Sequence, residues 1–170
     1  FDREILETWL RILTLAPHSE LWLLNESDVG MRVAPEAACV DCQIRFVPML
    51  PRLDHLRRLY HQVDLILDCP NYNSHTSATD ALWAGVPVLT IAGKLACEHL
   101  ADGEQKSSTS LPLVVGDLEQ YVNIAVSLAS SPQLFKECKQ RLWTAVCQSA
   151  LFDTKAWVSQ FETYVAAVLT

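Results

Sequence analysis

Long hydrophobic runs are missing from this 170-residue chain: half of its residues are apolar, but charges and turn residues break every run well before the ~20 residues a membrane-spanning helix needs. A soluble protein with no membrane partner is therefore expected. Excess positive charge is missing too. At a formal net charge of −7, the chain lacks the broad basic face of a nucleic-acid binder. A basic leader is absent as well: the chain opens on Phe1, and "FDREILETWLRIL" carries acids among helically spaced apolar residues. It reads as a piece of something longer.

The six cysteines, Cys39, Cys42, Cys69, Cys97, Cys138 and Cys147, lack the dense spacing of a secreted disulfide scaffold, so reduced thiols and a cytoplasmic or nuclear location are expected. The lone C-x-x-C at Cys39–Cys42 has no second pair and no well-spaced histidines, which favours plain packing over zinc or redox work. There is no tandem repeat. The one low-complexity patch, "GEQKSSTS" (Gly103–Ser110), reads as an exposed loop.

Against these absences stands a regular alternation. "DREILETWLRILTLAP" repeats Ile5, Leu6, Trp9, Leu10, Ile12 and Leu13 at helical spacing and stops at Pro17, and "ELWLL" follows as a short buried strand. Then come a helix around Pro35–Val40, strand "IRFVPM", helix "LDHLRRLYHQ", strand "DLILDC", helix "SATDALWAG" with Gly85 as terminator, strand "PVLTIA" and strand "LPLVV". Such alternation predicts an α/β domain, a Rossmann-like parallel sheet with helices on both faces. After Val115 only helices remain: Asp117–Ala129, Ser131 to about Gln148, and Thr154–Leu169, with Asp117 and Ser131 as N-caps. The expected organisation is one domain over 1–170, with an α/β core at 1–115 and a helical tail at 116–170. A domain of this size buries roughly 70% of its unfolded surface, enough for a real core.

Chemistry concentrates in "PNYNSHTSATDALWAGVPVLT", Pro70–Thr90. In an open parallel sheet, ligands sit beyond the carboxyl ends of the strands, and the loop after "DLILDC" delivers His75, Thr76 and Ser77 to the first turn of a helix. Free backbone N–H groups and the positive dipole end attract phosphate there. Ser77-Ala78-Thr79-Asp80 also matches S-x-x-D, so a capping box is the plainer reading of the same residues. A second cluster, "RLDHLRR", places Arg52 at a helix start and His55 and Arg58 on one helix face, while Arg57 points elsewhere as a solvated cation. Both loops open at the same sheet edge. Charge-assisted hydrogen bonds contribute about 1.5–3 kcal/mol each, whereas micromolar nucleotide binding needs about 8 kcal/mol; several donors must act on one anion.

The segment "RFVPMLPRLDHLRRLYHQVDLILDCPNYNSHTSATDALWAGVPVLT" closely resembles the donor-binding half of the O-GlcNAc transferases, which attach N-acetylglucosamine from UDP-GlcNAc to Ser and Thr of proteins. The motifs that carry the likeness are P-[KR]-x-x-H-x-R-R, L-D-x-P and N-x-H-T-[ST]-x-x-D-x-L-W-A-G-x-P. A weaker likeness runs through "LAPHSELWLL" and "LFDTKAW". The resemblance implies the C-terminal Rossmann-like domain of a GT-B glycosyltransferase that inverts the anomeric centre without a metal or other cofactor, and the sequence holds no D-x-D metal motif.

Carried over by position, the resemblance implies that Leu50 holds the uracil through its backbone and Arg58 lies against the base. Arg52, where the family usually has Lys, and Asp80 take the ribose hydroxyls. His75, Thr76 and Ser77 hold the diphosphate and stabilise the leaving group, and His55 lines the donor pocket. The family's general base and a supporting Lys lie outside the chain, as do the N-terminal half of the GT-B fold and the tetratricopeptide repeats that select protein substrates. On that footing the chain alone should bind donor weakly and transfer nothing. His99 departs from the family, which usually has Arg there. Two rival readings remain: a Spindly-type protein O-fucosyltransferase using GDP-fucose, against which His75 and Asp80 speak, and a nucleotide-sugar-binding scaffold without transfer.

Overall fold

The computed structural model describes residues 2–25, 43–71, 73–92 and 113–169. Helix α1 (Arg3–Leu15) starts where the Asp2 side chain accepts from the Ile5 N–H at 3.0 Å, and it buries the predicted stripe of Ile5, Leu6, Trp9, Leu10, Ile12 and Leu13. Strand β1 (Leu21–Leu24) runs parallel to β2 (Ile44–Val47), Leu21 opposite Ile44 and Leu24 opposite Val47. Helix α2 spans Arg52–Gln62, and strand β3 spans Ile66–Leu67. Helix α3 (Thr76–Trp83) precedes β4 (Val88–Ile91), which lies between β3 and β5 (Val114–Val115), again all parallel. The remainder is helical: α4 (Leu118–Ser130), α5 (Pro132–Gln148), a 3₁₀ turn (Ala150–Phe152) and α6 (Thr154–Leu169).

Strand alternation sorts the helices onto two faces. Leu67 and Leu89 join the cluster made by α1 and α4, with Tyr121, Val122, Ala125 and Leu128. Their neighbours Ile66 and Val88 face the opposite cluster, made by Leu59 of α2, Ala81 of α3, and Ala84 and Val86 just after it. Because successive residues of a strand point to opposite faces, two adjacent apolar residues are enough to bind a helical layer on each side. The α/β fold with parallel strands and helices on both faces is as the alternation predicts, but among the described residues the strands pair as two sheets, β1–β2 and β3–β4–β5, rather than one.

The predicted caps hold: Asp117 accepts from the Gln120 N–H at 2.8 Å and Ser131 from the Leu134 N–H at 3.3 Å. Gly85 ends α3 at φ +71°, its N–H bonded to Leu82 O and that of Val86 to Ala81 O, both at 2.9 Å. The strands are shorter than predicted. "IRFVPM" ends at Val47 because Pro48 has no N–H to continue a ladder. "DLILDC" keeps only Ile66–Leu67 as strand, although the Asp68 N–H still reaches Leu89 O at 2.9 Å. The predicted helix around Pro35–Val40, the Cys39–Cys42 pair, Cys97, His99 and the "GEQKSSTS" loop lie outside the described residues.

Candidate functional site

A carboxylate lies beneath the site. Asp68, directly after β3 and only 2% exposed, accepts from the Ser74 N–H at 2.7 Å through Oδ1. Its Oδ2 accepts from the Thr90 hydroxyl at 2.7 Å and from Asn73 Nδ2 at 2.9 Å, and Asn73 also reaches Thr90 Oγ1 at 3.0 Å. Asn73 and Thr90 are as deeply buried as Asp68. A buried charge persists only when donors replace its water, and three converge here. The Asp68 carbonyl accepts from the Tyr121 hydroxyl at 3.0 Å, which in turn accepts from Trp9 Nε1 at 3.4 Å, so α1, α4, β3 and β4 all hold this point.

The loop so anchored sets the start of α3, and the predicted capping box does not form. His75 is the N-cap, its side chain makes no cap bond, and Ser77 falls one residue inside the helix, after Thr76. The cause is the bond from Ser74 to Asp68, which brings the chain into the helix two residues earlier than S-x-x-D requires. The first turn therefore keeps His75, Thr76 and Ser77 exposed. Thr79 turns its hydroxyl back to the His75 carbonyl at 3.2 Å.

Asp80, the acid of the supposed box, instead accepts from Arg52 Nη2 at 2.7 Å. Thr76 and Asp80 are one helical turn apart and share a face, so the polar start of α3 and the Arg52–Asp80 pair look the same way. Arg52 opens α2, joining the starts of the two helices. Arg58 Nη2 donates to Pro48 O at 2.8 Å, which ties α2 to the exposed segment Pro48-Met49-Leu50 after β2. His55 lies half-buried between Arg52 and Arg58 in α2. Arg57 pairs with Asp54 at 3.1 Å on the solvent side, as predicted for a surface cation.

Sequence reasoning assigned no role to Asp68, Asn73 or Thr90, although Asp68 is the acid of L-D-x-P. The available signal was a carboxylate ending an apolar strand, which has to find donors inside the fold. It also missed the bond from Asn71 Nδ2 to Asp2 Oδ2, which sets the N-terminus of α1 beside the same loop. Among the described residues no group of three or more His, Cys, Asp or Glu side chains is placed to hold a metal, and no helix is long and apolar enough to cross a membrane. A hollow of about 300 Å³ runs along α6, lined by Thr154, Lys155, Val158, Ser159 and Glu162 and by none of the predicted donor residues.

Parallel strands with an exposed polar helix start beyond their carboxyl ends, beside an ion pair between two adjoining helices, make a Rossmann-like α/β domain. The chain belongs to glycosyl transferase family 41, whose family model matches residues 1–161. It is 37% identical over 167 residues to the probable UDP-N-acetylglucosamine--peptide N-acetylglucosaminyltransferase SEC of Arabidopsis thaliana, covering 95% of this chain and 17% of that protein. With the UDP-N-acetylglucosamine--peptide N-acetylglucosaminyltransferase of Caenorhabditis elegans it shares 29% identity over 165 residues, 95% of this chain and 14% of the relative. The solved O-GlcNAc transferase mutant of Thermobaculum terrenum superposes with a TM-score of 0.80 at 24% identity, over 97% of this chain and 33% of that one, a likeness of fold. The chain thus spans less than a fifth of the length of these curated relatives.

Proposed function

We propose that the chain is the donor-binding domain of a protein O-GlcNAc transferase, and that the intact protein moves N-acetylglucosamine from UDP-GlcNAc to Ser and Thr hydroxyls of cytoplasmic or nuclear proteins. The observation that carries this reading is the exposed His75-Thr76-Ser77 start of α3, with Thr76 on the same helix face as the Arg52–Asp80 pair. The arrangement presents N–H and O–H donors to a diphosphate and a fixed ion pair to the adjoining ribose. Leu50, through its backbone, and Arg58 hold the uracil, their segments joined by the bond from Arg58 to Pro48 O. His55 lines the pocket between them.

In transfer, the acceptor hydroxyl attacks the anomeric carbon from the face opposite the leaving UDP, so the configuration inverts. Negative charge grows on the departing diphosphate. His75, Thr76 and the backbone N–H groups at the start of α3 meet that charge with donors already in place, which lowers the barrier without reorganisation. No metal or cofactor enters the scheme. The general base, the acceptor-binding half and the repeats that select protein substrates belong to the remainder of the protein.

Incorporation of labelled GlcNAc into protein by the intact enzyme tests the reading, with UDP and GDP titrated as competitors. Inhibition by UDP well below the concentration needed for GDP is expected. A preference for GDP transfers the assignment to fucose chemistry, and binding without incorporation reduces the protein to a scaffold.

A further inference from the structure

The cluster under the α3 start contains none of the residues that contact donor in the proposed scheme, yet it holds the residue immediately before the α3 N-cap. We propose that Asp68 is the positioning residue that aims the N-terminus of α3 at the donor diphosphate, a role that rests on the donor reading above. At 2% exposure the carboxylate cannot touch a ligand, so it acts through others. Its two oxygens divide the work. Oδ2 is locked to β4 through Thr90, and Oδ1 holds the Ser74 N–H, one residue before the His75 N-cap.

Among the described residues between these points, 69–71 and 73–75, none belongs to a strand or helix, and Asn73 adds a second tie to the same Oδ2. Asp68 itself is immobilised by its N–H on Leu89 O and its carbonyl under Tyr121. A rigid line therefore runs from the sheet through one carboxylate to the first turn of α3. An acid is needed because three donors converge on it; an amide in its place turns an NH₂ group toward one of them.

The consequence separates binding from chemistry. Arg52, Asp80 and Arg58 grip the nucleoside from contacts that do not involve Asp68, so ground-state binding persists without it. Charge that grows on the diphosphate in the transition state depends on where the α3 donors point, and a misplacement near 1 Å costs about 10²-fold. Loss of aim is therefore a loss of kcat rather than of KM.

The test is steady-state transfer of labelled GlcNAc to an acceptor peptide by the intact protein, at a temperature where each variant shows a native circular-dichroism spectrum. Asp68→Asn is expected to lower kcat about 30-fold while the donor KM changes less than about fivefold. The swap Asp68→Asn with Asn73→Asp restores a donor and an acceptor across the same contact and is expected to recover most of kcat. Should Asp68→Asn fail to fold, Thr90→Val decides: removal of one hydroxyl from Oδ2 is expected to lower kcat about fivefold at constant KM. Wild-type kcat in folded Asp68→Asn or in Thr90→Val, or a swap no faster than the single variant, overturns the positioning role alone. A wild-type protein that transfers no GlcNAc overturns the donor reading and the role with it.

Discussion

Arg52 and Asp80 are 28 residues apart in the chain and 2.7 Å apart in space, and their contact joins the first turn of α2 to the second turn of α3. Arg52 is largely exposed while the Asp80 side chain is 13% exposed, so the acid is the better-shielded partner. Exposed ion pairs contribute little to stability, which makes recognition the more consequential role of this one. In the intact protein Asp80→Ala is expected to lower kcat/KM for UDP-GlcNAc at least tenfold, about 1.4 kcal/mol. Arg52→Ala in the same background should add less than its own single effect, since the two share a contact. Wild-type kinetics in Asp80→Ala would reduce the pair to a surface bridge.

His75→Ala is also expected to lower donor use at least tenfold. The His75 side chain does not cap α3, so the loss of donor use should not come with the helix-end destabilisation of a lost N-cap. Paired kinetics and urea denaturation check this, and a variant that melts early with normal turnover contradicts it.

Tyr121 links the active edge to the core, donating to Asp68 O at 3.0 Å. Tyr121→Phe is expected to destabilise the fold by about 1–3 kcal/mol near neutral pH, the range for a buried hydrogen bond with a partner left behind. Burial pushes the phenol pKa well above its ordinary 10.0. The unfolded chain therefore releases this proton first as pH rises, and the stability contributed by Tyr121, complete below pH 10, declines above it. Denaturation measured between pH 7 and 11 should show a steeper alkaline loss for wild type than for Tyr121→Phe.

Gly85→Ala probes the end of α3. An added Cβ meets only Trp143 Cε3 at 3.8 Å, an ordinary contact, so the cost is the left-handed backbone at φ +71°. A loss of about 1–2 kcal/mol is expected in thermal or urea melts. Gly85→Asn should lose less, because asparagine tolerates this region better. Equal stability for alanine and glycine would mean that the turn opens at little cost.

Much of the framework was readable before folding was considered. Asp117 and Ser131 cap helices whose N–H groups lie three residues ahead, Gly85 stops α3, and the stripe from Ile5 to Leu13 names its own buried face. The two motifs also put Arg52 and Arg58 on one helix and His75 and Asp80 at the start of the next, where α2 and α3 carry them. The start of α3 was misread. S-x-x-D describes an isolated helix end, whereas here the N-cap is His75, two residues sooner, beside the Ser74–Asp68 bond, and Arg52 takes the acid.

The sequence alone determined the order of the described elements and the helix ends at Asp2, Asp117, Ser131 and Gly85, because each of those depends on groups within a turn or two of one another, at separations the covalent chain sets. Only the tertiary structure decided that Asp68, Asn73 and Thr90 share one buried contact and that Arg52 meets Asp80. Those partners are 5 to 28 residues apart, and their meeting requires the crossovers to bring β3, β4, α2 and α3 to a single edge.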